Sequence, residues 1–352
     1  MGLTPRKIYE HLDRYVIGQH EAKRTVATAA YNHFKRIHHA NNAQKQLIRR
    51  SNILMIGPTG CGKTHIARNL AEILDVPLAI CDATEYTEAG YYGKDAEVMV
   101  AELLYQVAGD IELAQNGVIF IDEIDKIARK SNGARNGAAG RDIGGEGVQQ
   151  ALLKVLDGKR MFVPLNVTQH WNRHDFVEMD TQNILFICAG TFSDLRPEFD
   201  SGQPIGFESE AEREARKALR RPVSTKELVD YGFLHELLGR LPVIVQLDAL
   251  RAEDLITILR DPPDSILREY TEVLAMDDVT LETTEDALLE MARYAQEQRV
   301  GARGLRSIME RVLADILFEA PEREGQTARI DADFVRERLA DFMLSEKTPR
   351  PD

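Results

Sequence analysis

A chain of 352 residues is long enough for two or three domains, each with its own core. With 43% apolar and 29% charged residues it reads as soluble and globular, with no membrane-length apolar run and no basic-then-apolar leader at its start. The formal charge of −13 argues against nucleic acid as the main partner, and three cysteines (Cys61, Cys81 and Cys188) without a C-x-x-C pair suit a reducing, cytoplasmic setting with neither zinc module nor disulfide framework.

Residues 1 to about 50 read as helical, with Tyr15-Val16-Ile17-Gly18-Gln19 as a compact turn before a helix from His20 to about Arg36. Five short apolar runs read as strands: Ile53–Ile56, Leu78–Cys81, Val118–Ile121, Ile184–Cys188 and Pro242–Val245. Helical patterns separate them, which predicts an α/β fold with a parallel five-stranded sheet covered by helices on both faces. Ser131 to Gly147 is rich in glycine and alanine and reads as a mobile loop. Val148, Ala151, Leu152, Val155 and Leu156 then mark an amphipathic helix stopped at Gly158. Beyond Leu247 the pattern changes to helices broken at Asp261-Pro262-Pro263, with one strand at Val279–Glu282. The division expected is a large domain over 1–245, a small, mainly helical domain over 246–345 and a disordered tail, with a hinge near 241–248.

Two motifs carry chemistry. Gly57-Pro58-Thr59-Gly60-Cys61-Gly62-Lys63-Thr64 follows the first strand, and Ile66, Leu70, Ile73 and Leu74 follow it at helical spacing. Glycines let backbone N–H groups approach phosphates, Lys63 reaches the β and γ oxygens, and the Thr64 hydroxyl suits Mg²⁺. About sixty residues on, Val118-Ile119-Phe120-Ile121-Asp122-Glu123 ends a buried strand on two acids. Asp122 is read as a second Mg²⁺ ligand and Glu123 as the base that orients and deprotonates water. The chain is therefore expected to bind and hydrolyse ATP.

Longer segments extend these motifs into a family resemblance. Thr4-Pro5, Tyr15 to Gln19, Ala83-Thr84, Thr87 to Tyr91, Ile121 to Lys126, Gly145 to Lys154, Gly239-Arg240-Leu241-Pro242-Val243 and Gly301-Ala302-Arg303-Gly304-Leu305-Arg306 resemble the ClpX family of AAA+ unfoldases, without its N-terminal zinc-binding domain. The resemblance implies a homo-hexameric ring with ATP and Mg²⁺ at subunit interfaces and no zinc. It places Val16 and Ile17 in an adenine pocket and His65 beside the phosphate loop. It makes Arg240 a finger that reaches a neighbour's γ-phosphate, and Arg303 a sensor that couples nucleotide state to the angle between domains. Glu88-Ala89-Gly90-Tyr91-Tyr92-Gly93 resembles the pore loop that grips polypeptide, with Tyr91 and Tyr92 as the gripping aromatics. Ile205-Gly206-Phe207 matches the tripeptide that docks on a ClpP-like peptidase, although its loop is shorter than the family's.

Some positions depart from the family pattern. Tyr92 replaces a valine, and Leu165 to Asp175 replaces a basic loop at the channel entrance. His170 and His174 in that stretch are not read as metal ligands, because no acid stands between them as in zinc motifs. Cys61 stands where serine is common; it reads as a tolerated small residue, with a redox-sensitive thiol at a helix N-terminus as the alternative. The function expected is ATP-driven unfolding and translocation of tagged proteins into a ClpP-like peptidase. The alternatives are a stand-alone remodelling chaperone, a nucleic-acid motor of the same fold and a regulatory partner that does not turn over ATP.

Overall fold

A computed structural model describes residues 2–39, 48–86, 95–128, 145–165, 176–195, 221–298 and 300–346. Two helices open the chain, α1 (Pro5–Tyr15) and α2 (His20–His39). Thr4 caps α1 by accepting from Lys7 N–H at 3.3 Å, and Pro5 sits in the first turn, where its missing N–H costs nothing.

The sheet then builds through β1 (Ile53–Ile56), α3 (Lys63–Leu74), β2 (Leu78–Asp82), α4 (Val98–Gln106), the single turn α5 (Ile111–Ala114) and β3 (Val118–Asp122). It continues with α6 (Glu146–Leu156), the antiparallel pair β4 (Arg160–Pro164) and β5 (Phe176–Asp180), and then β6 (Leu185–Gly190). Next come α7 (Thr225–Tyr231), α8 (His235–Leu238) and β7 (Val243–Gln246). Five parallel strands pair in the order β2-β3-β6-β1-β7.

Successive side chains on a strand point to opposite faces, and the apolar residues divide accordingly. Leu54, Ile56, Ile119, Ile121, Phe186 and Cys188 join one core with residues of α4 and α6. Ile53, Met55, Val118, Phe120, Leu185 and Ile187 join another with residues of α1, α2 and α3. Burial on both faces explains why these strands read as unbroken apolar runs.

The C-terminal region packs α9 (Ala252–Arg260), α10 (Ile266–Ala275), β8 (Thr280–Thr283), α11 (Glu285–Glu297), α12 (Gly301–Glu319), β9 (Thr327–Ile330) and α13 (Ala332–Glu346). Its core, with Leu255, Leu259, Leu274, Met291, Leu305, Met309 and Leu313, is separate from the two sheet cores. The expected five-stranded parallel sheet with a helical C-terminal region is thus observed.

Several boundaries differ from expectation. Strand β6 begins at Leu185 and runs to Gly190, and β7 begins at Val243, since Pro242 has no N–H to give a ladder. Of the expected loop over 131–147, residues 131–144 lie outside the described residues, and Glu146 and Gly147 belong to α6. Helix α13 continues through Glu346, which was assigned to the tail. The pair β4–β5 and the partner strand β9 were not foreseen.

Helix α2 is anchored to the turn before β6 by buried polar groups. His33 Nε2–H donates to Asn183 O at 2.8 Å, and an Arg36 terminal nitrogen donates to Gln182 O at 2.8 Å. Burial, reinforced by Arg36 and Arg50, lowers the His33 pKa to about 4 from an ordinary 6.5. The unfolded chain therefore binds the extra proton between those values. This stabilisation is full above pH 6.5 and is lost as pH falls towards 4. Lowering the pH from 7 to 4.5 should remove about 2.5 kcal/mol from wild type through this site. Urea denaturation of His33→Gln at both pH values should show a correspondingly smaller fall.

Candidate active site

Strand β1 lies between β6 and β7, and its carboxyl end opens into the loop of residues 57–62. Such carboxyl ends are where open α/β sheets place their ligand crevices. Gly57 N–H donates to Gly190 O at 3.2 Å, which fixes the start of the loop to the end of β6. A methyl group on Gly57 would meet Leu247 at 2.9 Å and Cys61 Sγ at 3.0 Å. Gly60 and Gly62 have φ of 73° and 102°, a region that favours glycine. Helix α3 starts at Lys63 without a side-chain cap, so its first N–H groups face the loop.

The Lys63 side chain is buried and folds back on the loop, donating to Gly57 O at 2.7 Å and Pro58 O at 2.9 Å. Thr64 Oγ1–H donates to Asp122 Oδ2 at 3.4 Å across the β1–β3 gap. Glycine cradle, buried ammonium, hydroxyl and carboxylate together form a donor set that fits a nucleotide phosphate with a hard divalent cation. Glu123 follows in the left-handed region at φ 55°, with its N–H donating to Asp122 Oδ1 at 2.9 Å and its carboxylate exposed. Non-glycine residues held in that conformation concentrate at functional sites.

The other expected residues fall into three groups. Val16 is buried and lies beside the cradle: a methyl group on Gly62 would come within 4.0 Å of Val16 Cγ1. Ile17 is half-buried next to it, and His65 contacts Tyr15 O at 3.2 Å through Nε2. Thr59 is exposed at the loop tip, whereas Pro58 is buried. Arg303 is exposed on the first turn of α12, whose N-terminus touches the loop: Ala302 N–H donates to Gly60 O at 3.2 Å.

Arg240, in contrast, is not brought to Lys63. Asn52 Nδ2 donates to Arg240 O at 3.0 Å, which places Arg240 at the start of β1. That is about 13 Å of strand away from the phosphate loop. Tyr91, Tyr92, Ile205, Gly206 and Phe207 lie outside the described residues, as do 166–175, including His170 and His174.

At Cys61 the surroundings suit the small-residue reading and count against the redox alternative. Its thiol is buried, and burial pushes its pKa up despite the lowering effect of Lys63. That is the opposite of the activated thiol a redox switch needs.

Three polar connectors had no local signal, Gln19 and Asp125 at the site and Asp157 at the opposite edge of the sheet. Gln19 clasps three strands of chain, donating to Asp248 O at 2.7 Å and Cys61 O at 3.4 Å while accepting from Asp248 N–H at 3.0 Å. Asp125 is buried and accepts from Thr191 Oγ1–H at 2.9 Å, Thr191 N–H at 3.2 Å and Phe192 N–H at 3.3 Å. It thereby ties the turn after Glu123 to the end of β6. Asp157 binds Arg240 Nε at 2.7 Å and Lys159 at 3.2 Å. Burial of Asp157 opposes its charge, but these two cations hold its carboxyl below the usual range.

The sheet, the phosphate cradle and the acidic strand end define a P-loop ATPase of the AAA class. The family model described as AAA domain (Cdc48 subfamily) matches residues 48–244, and one described as the C-terminal D2-small domain of ClpB protein matches 250–331. The chain is 44% identical over 329 residues to the ATP-dependent Clp protease ATP-binding subunit ClpX of Treponema denticola, covering 92% of this chain and 79% of that protein. It is 43% identical over 323 residues to ClpX 2 of Wolinella succinogenes, with the same 92% and 79% coverage. This chain belongs to the ClpX family of AAA+ ATPases. Among its described residues no helix is long and apolar enough to cross a membrane.

The Asp125 clamp makes a direct prediction. Asp125→Ala leaves the buried Phe192 N–H, the part-buried Thr191 N–H and the Thr191 hydroxyl without their acceptor, at a cost of about 3 kcal/mol. Urea denaturation should show that loss, and Asp125→Asn should lose less because it keeps an oxygen acceptor.

Proposed function

We propose that this chain is an ATP-driven protein unfoldase and translocase that works as a homo-hexameric ring and delivers protein to a ClpP-like peptidase. The single observation that carries the ring is the placement of Arg240. It stands a strand's length from Lys63 in its own chain, so it serves hydrolysis only by reaching a neighbour's phosphate loop. A ring supplies that neighbour to every subunit.

In this reading the backbone of residues 57–62 and Lys63 bind the phosphates of ATP, and Val16 and Ile17 bound the apolar pocket for adenine. Lys63 exchanges its two loop carbonyls for phosphate oxygens, so its positive charge is never left unpaired during binding. Thr64 and Asp122 would hold Mg²⁺, whose charge, when bound, would offset that of the phosphates. Glu123 orients the attacking water and takes its proton. Arg240 of the adjoining subunit offsets the negative charge that grows on the transferred phosphoryl group.

Arg303 sits on α12, whose first residues touch Gly60, so a change at the loop is passed to the C-terminal region. We take 1–245 as the moving large domain and 246–345 as the small one. Tyr91 and Tyr92 grip the polypeptide in the axial channel, and Ile205-Gly206-Phe207 docks the ring on the peptidase. Aromatic rings suit an indiscriminate grip, because they press on many side chains without needing matched hydrogen bonds.

Incubation of a tagged, folded fluorescent protein with the chain and ATP, with and without a ClpP-type peptidase, tests the reading. Fluorescence should fall and peptides appear only with the peptidase present. Glu123→Gln should bind ATP while losing at least about a hundredfold in hydrolysis and all unfolding. Fluorescence loss without peptides would make the chain a stand-alone remodeller. Robust hydrolysis with no loss for any tagged protein would overturn the unfoldase reading.

A further inference from the structure

Arginine side chains lose considerable rotamer entropy when held in one orientation, so a finger that must meet a phosphate on another chain benefits from being aimed beforehand. The surroundings of Arg240 provide that aim. Its backbone is pinned on both sides, by Arg240 N–H donating to Leu237 O at 2.9 Å and by Asn52 Nδ2 donating to Arg240 O at 3.0 Å. Asn52 is itself buried and accepts from Phe186 N–H through Oδ1 at 3.3 Å, so this pin is part of the sheet.

The guanidinium is held by one contact, Nε to Asp157 Oδ1 at 2.7 Å. Among the described residues its two terminal nitrogens have no hydrogen-bond acceptor, and half of the side chain is exposed. An Nε contact fixes the plane of the fork while leaving its two outer N–H pairs free for a bidentate partner. Asp157 does not follow Arg240 passively. It ends α6, with its N–H donating to Leu153 O at 2.9 Å, and its other carboxylate oxygen is bound by Lys159. Arg50 donates to its main-chain oxygen and lies against Gly158, which takes a left-handed φ of 70°.

We infer that Asp157 is a positioning residue for catalysis, which aims the Arg240 fork at the phosphates of the adjoining subunit. The inference deepens the reading of Arg240 as a residue that acts across the subunit boundary, and it rests on that reading. An ion pair this exposed contributes little to folding, so its removal should disturb hydrolysis far more than stability.

Mixed rings provide the test. Subunits carrying Glu123→Gln keep Arg240 but do not hydrolyse, whereas subunits carrying Arg240→Ala keep the hydrolytic residues. Mixing the two should restore ATP hydrolysis wherever an Arg240→Ala site faces a Glu123→Gln neighbour. Adding Asp157→Ala to the Glu123→Gln subunit should then lower the restored kcat about tenfold, with KM for ATP changed less than about twofold. Adding Asp157→Ala to the Arg240→Ala subunit should leave the restored rate within about twofold. Asp157→Asn, which keeps an oxygen acceptor, should recover part of the loss and serves if Asp157→Ala does not assemble. Equal losses from both placements would mark Asp157 as structural and overturn the inference, as would no loss from either. Failure of the parent mixture to hydrolyse would remove the reading of Arg240 across the boundary, and the inference with it.

Discussion

The contact on which the rest of the molecule depends is the seam between the phosphate loop and the N-terminus of α12. Gly60 and Gly301 both take left-handed backbone conformations, at φ 73° and 58°, and their backbones meet without a side chain between them. A methyl group on Gly60 would lie 2.8 Å from Val300 O, and one on Gly301 would lie 3.0 Å from Thr59 O. Only glycine at both positions permits such an approach. The loop therefore cannot adjust to a phosphate without moving against the first turn of α12, the turn that carries Arg303. Gln19 adds a second tie, from Cys61 to Asp248 at the start of the C-terminal region. Two short contacts, one between backbones and one through the Gln19 side chain, join the nucleotide end of the sheet to a separately packed helical core.

The two edges of the sheet have different tasks in this account. The carboxyl edge holds the cradle, Thr64, Asp122 and Glu123. The amino edge holds Arg240, Asn52, Asp157 and Arg50, with buried His33 and Arg36 on the adjoining helix. Parallel strands with both faces buried are stiff and short, so they keep the two edges at a fixed separation. A subunit that binds at one edge and donates a cation from the other suits head-to-tail repetition round an axis. In the proposed ring, the same five strands would set both the chemistry and the assembly.

The sheet was legible in sequence because burial on both faces writes each strand as an apolar run, as in Ile53–Ile56 and Val118–Ile121. The strand–loop–helix around Lys63 was legible because its glycines, lysine and threonine fall within eight consecutive residues. The β4–β5 pair was not: Phe162 and Phe176 are exposed, and an alternation over five residues at a surface carries little hydrophobic signal. Asp125, Asp157 and Gln19 were missed as connectors for another reason. Their partners Thr191, Arg240 and Asp248 lie 66, 83 and 229 positions away, and no local pattern encodes a contact of that range. The ClpX resemblance placed Arg240 and Arg303 in a mechanism, but it did not say what holds Arg240 in place.

The most direct test of the account is a distance between the two regions as nucleotide changes. Spin labels at Tyr105→Cys on α4 and Phe318→Cys on α12 would sit on exposed positions, while the three native cysteines are buried. Labelled subunits diluted into unlabelled rings would report the distance within one chain by electron–electron double resonance. The account predicts distinct distributions with ATP analogue, with ADP and without nucleotide. It also predicts that Gly301→Val, which disrupts the seam without replacing any residue of the phosphate loop, abolishes the difference while nucleotide still binds. One unchanged distribution in all three states, or a shift left intact by Gly301→Val, would contradict it.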